Sequence, residues 1–138
     1  MIRTRHLIAV ALLLTSGVAQ ADIAVVTNAD SGISQLSRSD AINIFMGRYR
    51  KLPSGALALP VDLKPLKARF YRALVDKNLA EINSYWARLV FSGQGSPPQQ
   101  IDSAAETIAL VTHNPSALSY IDVDRVTPEL HVVLVLRE

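Results

Sequence analysis

Four short runs rich in β-branched and aliphatic residues, at 23–26 (IAVV), 57–61 (LALPV), 118–123 (LSYIDV) and 131–136 (HVVLVL), constrain this chain more than any other feature. Each has the length of a strand and is bounded by turn-forming residues, whereas the intervening segments repeat their apolar positions every three or four residues. Strands alternating with helices imply an α/β layer structure, a sheet covered by helices. The first run empties into a polar loop containing Asn28, Asp30, Ser31 and Gly32, and Pro60 marks the second as an edge strand or a strand end because it cannot donate to a ladder.

Four helices are expected. Ser37 or Ser39 caps the first, whose apolar residues are Ala41, Ile44 and Phe45, and Gly47 stops it. Pro65 opens the second, with Leu66, Phe70, Ala73 and Leu74 on one stripe and Lys64, Lys67, Arg69 and Arg72 around it. The third begins with the capping box Asn78-Leu79-Ala80-Glu81 and carries Leu79, Ile82, Trp86, Leu89 and Val90. A second capping box, Ser103-Ala104-Ala105-Glu106, starts the fourth, which Asn114-Pro115 ends.

Residues 1–21 read as a cleaved secretory signal. Arg3, Arg5 and His6 precede the apolar run at 7–14 (LIAVALLL), and Ala19-Gln20-Ala21 supplies small residues for the peptidase. The run is shorter than the roughly 20 apolar residues that span a bilayer. The remaining 117 residues, 22–138, suit one domain with a single core. Removing Arg3 and Arg5 from the 14 Lys+Arg leaves 12 against 12 Asp+Glu, so the exported chain is formally neutral and carries no electrostatic signature of nucleic-acid binding. It contains no cysteine, which excludes disulfides and a lipoprotein anchor and points to a free periplasmic protein.

Catalytic chemistry finds little support. His113 and His131 are the only imidazoles beyond the leader; one sits at a helix C-terminus and the other opens a strand. No G-x-S-x-G elbow or H-E-x-x-H pair occurs, and no cofactor or dedicated metal site is expected. Asp122 and Asp124 could share a cation, although solvated carboxylates are the commoner meaning of so small a motif. The glycine-containing loop at 92–98 (SGQGSPP) lacks the remaining residues of a dinucleotide fingerprint or a P-loop and follows a helix, so it reads as a helix stop at Gly93 with Pro97-Pro98 preventing resumption. Anion binding has two footholds: the helix starting near Pro65, flanked by Lys64 and Lys67, and the turn at Ser31-Gly32. An ordinary turn beside a solvated basic helix face explains the same residues.

Particular phrases carry a resemblance. Residues 36–48 (LSRSDAINIFMGR), 85–98 (YWARLVFSGQGSPP) and 111–121 (VTHNPSALSYI) resemble segments of small secreted phosphate-type ABC-transporter substrate-binding proteins, and the interval they mark out, 36–121, takes in most of the chain after the leader. The resemblance implies one lobe of a type II periplasmic-binding-protein-like fold, a mixed sheet flanked by about four helices. It further implies a periplasmic, non-catalytic solute-binding protein taking phosphate or a similar small anion, with an ABC permease as partner and a second copy or another protein facing the single lobe. A site at the carboxyl ends of the strands would involve Ser31, Gly32, Asp62, Lys64 and Lys67. The chain departs from the group at 61–67 (VDLKPLK), which has no hydroxyl cluster, and at Ser119, where the group has glycine. These departures open a second reading, a partner-binding or signalling module that keeps the lobe, engages an envelope sensor and binds no ligand.

Overall fold

The computed structural model describes residues 22–138, so the expected leader lies outside the described residues. Five strands form one mixed sheet: β1 (Ile23–Asn28), β2 (Leu59–Leu63), β3 (Gln99–Ile101), β4 (Ala117–Asp122) and β5 (Leu130–Leu136), in the order β3-β2-β4-β1-β5. Strands β3, β2 and β4 run parallel, while β1 is antiparallel to both β4 and β5. The four helices are α1 (Arg38–Phe45), α2 (Lys67–Val75), α3 (Leu79–Phe91) and α4 (Ala104–His113). The crossovers β2 to β3 and β3 to β4 move in opposite directions along the sheet. With right-handed connections this places α2 and α3 on one face and α4 on the other.

The helix ends follow the sequence. Ser37, not Ser39, caps α1 by accepting from the Asp40 N–H; the reciprocal capping box of Asn78 and Glu81 starts α3, and Ser103 caps α4. At the other ends, Gly47 (φ +75°) and Gly93 (φ +71°) close α1 and α3 in the same way. In each, the glycine N–H and the next residue's N–H reach back to helix carbonyls: Gly47 to Ile44 and Arg48 to Asn43, Gly93 to Val90 and Gln94 to Leu89. Helix α2 instead ends on Asp76, a non-glycine residue at φ 55°. Asp76→Gly is expected to raise the melting temperature modestly, because it relieves the left-handed backbone and removes only an exposed Arg72 pair, a contact of little net value. A thermal melt of the variant checks this.

Three sequence expectations change. The second strand begins two residues later than its apolar run and extends to Leu63, so Pro60 sits inside it; β3 starts only opposite Val61, which leaves Pro60 without a neighbour on that side. Strand β3 has one apolar residue in three and shows no hydrophobic run. Leu79 and Val90, on the expected α3 stripe, are exposed, and the helix buries only Ile82 and Trp86.

An aromatic stack joins α1, α2 and β4. Phe70 lies flat on Tyr120, with ring centroids 3.6 Å apart, and meets Phe45 edge-on at 4.9 Å.

Candidate functional site

The antiparallel direction of β1 decides where the expected site residues go. Thr27 and Pro60 both pair with Leu118 of β4, so Ser31 and Gly32 emerge at the end of the sheet where β2 starts. Lys64 and Lys67 follow the end where β2 stops. The two groups are separated by roughly the length of β4, about 17 Å at 3.3 Å per residue, and no small anion touches both. "Carboxyl ends of the strands" therefore means two different edges for β1 and β2.

Each expected residue has a definite local role. Ser31 is buried; its hydroxyl donates to Thr27 Oγ1 at 3.2 Å and accepts from the Ile33 N–H, closing its own turn. Gly32 is exposed at φ +75°. Asp62 is almost fully buried, and its Oδ1 accepts from the hydroxyls of both Tyr71 and Tyr120 at 2.9 Å. Lys67, expected on a solvated face, is also buried and holds its Nζ 3.9 Å from Asp62 Oδ2. Burial pushes the Asp62 carboxyl above its ordinary value, more than the two tyrosine hydrogen bonds and Lys67 pull it down. Of the five, only Lys64 is an exposed cation.

At the edge where β2, β3 and β4 end, a cleft of about 370 Å³ opens, lined by Leu63, Pro65, Arg69, Ser103, Asp122 and Arg125 among others. Three elements of structure converge there. The N-terminus of α4 presents backbone N–H groups that its own helix cannot satisfy. Arg69 reaches over from α2, donating to both oxygens of Glu138 and to Asp122 Oδ1 at 3.3 Å. Those carboxylates, Glu138 foremost, hold the guanidinium in its charged form and raise its pKa. Arg125, exposed, is the last residue of the short 3-10 turn Val123–Arg125 after β4. The cleft can receive an anion by helix dipole and guanidinium contacts, sharing Arg69 with the carboxylates already on it.

Asp122 is paired to Arg69, and among the described residues no group of three or more His, Cys, Asp or Glu side chains stands where it could hold a metal ion. His131 makes a 2.7 Å hydrogen bond with the Ser34 carbonyl, and His113 lies in the last turn of α4. In the sequence Arg69 reads as helix decoration and Ser103 as a cap, and no motif marks Arg125. Recognising 99–101 (QQI) as a strand would have exposed them. A parallel β2-β3 pair brings the start of α4 beside the end of β2.

The loop 92–98 leaves a helix that packs on the turn after α1: a Cβ on Gly47 would lie 2.8 Å from the Trp86 ring, one on Gly95 would lie 3.8 Å from the same ring, and the Tyr85 hydroxyl donates to the Met46 carbonyl at 2.6 Å. The two phrases 44–48 (IFMGR) and 85–98 thus form one structural joint.

No family model matches the chain, and no curated protein does. Among solved structures, it is similar to an ABC-type phosphate transport receptor from Vibrio cholerae, with a TM-score of 0.63 and 15% identity over 82% of this chain and 45% of that one. It is equally similar to a putative phosphate ABC transporter substrate-binding protein with bound phosphate from Clostridium perfringens, with a TM-score of 0.63 and 16% identity over 82% of this chain and 44% of that one. The chain therefore has the fold of a single lobe of a phosphate-binding-protein-like structure, and it spans less than half the length of these neighbours.

Proposed function

We propose that this chain is a periplasmic, non-catalytic solute-binding lobe that takes phosphate or a similar small oxyanion and serves an ABC transporter. The observation that carries the reading is the convergence of the α4 N-terminus with Arg69 and Arg125 in one cleft at the carboxyl edge of three parallel strands, the edge where open α/β sheets bind ligands. Lys64, exposed beside Pro65, adds a cation at the same edge. The fold neighbours support a solute-binding role in general terms. In this reading the wall that faces the cleft comes from outside the lobe, as a second copy or a transporter component would supply it.

Calorimetric titration of the purified protein with inorganic phosphate at low ionic strength tests this, with light scattering to count subunits. Saturable binding is expected, with Arg125→Ala weakening it about tenfold, the scale of a charge-assisted contact. Absence of heat and of any melting shift with the folded protein would remove the anion reading, because a ligand at 100 times its dissociation constant stabilises by about 2.7 kcal/mol. Sequencing the N-terminus of exported protein tests the leader: Asp22 is the expected first residue.

A further inference from the structure

The opposite end of the sheet carries a surface that the anion reading does not use. Segments 46–58 and 88–98 meet where β2 and β3 begin and enclose a cleft of about 320 Å³. A smaller one, about 200 Å³, lies beside it, and Tyr49 lines both. The two segments contain Arg48, Arg50, Lys51 and Arg88 and no Asp or Glu, although residues 22–138 as a whole are balanced. Asp40, in the smaller cleft, is the one carboxylate among the lining residues of both. The same segments hold four large apolar side chains in solvent: Tyr49 at 53%, Leu57 at 66%, Val90 at 54% and Phe91 at 94% exposure.

A third observation bears on the shape of what fits. Strand β3, which leads directly out of the cleft wall at Pro97-Pro98-Gln99, is the edge of the sheet, with Gln99 and Gln100 exposed. An edge strand offers backbone groups to an extended chain. A bilayer surface is flat on this scale and cannot enter a cleft or pair with a strand, so charge and shape together favour a polypeptide.

We propose that this end of the lobe docks an extended acidic protein segment bearing large apolar side chains. The apolar groups seat in the cleft beside Tyr49 and Leu57, where burial supplies affinity, and the carboxylates meet Arg48, Arg50 and Lys51, which set register and speed association. The surface lies at the far end of β2 from Arg69 and Arg125, so the inference stands whether or not the anion cleft binds.

The test selects short random peptides on a display library against the purified protein, then measures the enriched peptides by fluorescence anisotropy. Enriched sequences are expected to combine Asp or Glu with Phe, Trp or Leu. Their affinity should fall about tenfold in the double variant Arg50→Glu/Lys51→Glu and in Tyr49→Ala, and as salt is raised, while the remote reversal Lys77→Glu leaves it unchanged. Circular dichroism confirms that each variant folds; the substituted side chains are exposed. No enrichment, enrichment of neutral or basic peptides, or equal binding by all variants overturns the proposal. So does sedimentation with phosphatidylglycerol vesicles that the same variants abolish while peptides fail to bind, which would assign the surface to membranes.

Discussion

Gly47→Ala is expected to destabilise the protein by about 2–4 kcal/mol, as the sum of a left-handed backbone penalty and an overpacking penalty. The glycine closes α1 at φ +75°, and a Cβ there would meet Trp86 Cη2 at 2.8 Å and Cζ3 at 3.2 Å. The ring has little room to yield. Trp86 is 5% exposed, Tyr85 packs edge-on against it at 5.2 Å, and the Tyr85 hydroxyl ties α3 to the Met46 carbonyl. Gly93→Ala provides the comparison, because Gly93 ends α3 in the same hydrogen-bonding pattern at φ +71° and a Cβ there meets nothing within 4 Å. That variant should lose only about 1 kcal/mol, the backbone component alone. Urea midpoints of the two variants measure the difference. Equal losses would show that the ring moves aside and that the joint between the two segments is softer than its geometry implies.

Asp62→Ala is expected to cost about 3–5 kcal/mol. It leaves the buried hydroxyls of Tyr71 and Tyr120 without their shared acceptor and strands the buried Lys67 ammonium. Asp62→Asn keeps an acceptor for both tyrosines and removes the charge, so it should lose much less. The two variants also separate through pH. Burial raises the folded pKa of Asp62 above 3.8, so the fold favours the protonated acid; its contribution is complete below that value and declines as pH rises through the raised one. Wild type should therefore lose stability relative to Asp62→Asn as pH climbs from about 4, and the gap between them should narrow. A gap that is constant or widens over this range would mean that the tyrosines and Lys67 outweigh desolvation. Both tyrosines are buried with phenol pKa values pushed well up, and they stay protonated donors throughout.

Much of this architecture was legible in local sequence. Helix starts at Ser37, Asn78 and Ser103 and stops at Gly47 and Gly93 depend on contacts within a few residues, which composition and spacing encode directly. The apolar runs located four of the five strands for the same reason: buried strands announce themselves by hydrophobicity. Strand β3 escaped because an edge strand half in solvent needs no apolar run, and its pairing with β2 is a long-range fact.

The expected site fared differently, and direction is the reason. Nothing in residues 23–32 reveals that β1 runs against β2, yet this alone sends Ser31 and Gly32 to the edge opposite Lys64. Likewise, Lys67 and Tyr71 lie on α2 at a spacing that suits either a solvated face or a second buried one; Asp62 and Tyr120, from two different strands, turn them inward. By itself the sequence determined the four helices with the caps that start three of them, four of the five strands and the α/β class, because those are set by local backbone chemistry and hydrophobic period. Strand order and direction determined which polar residues meet: Asp62 with Tyr120, Arg69 with Arg125 in one cleft, and the basic end around Tyr49 with the segment 88–98. Each of these joins residues from segments far apart in the chain, as Asp62 and Tyr120 are, and only the packed sheet brings them together.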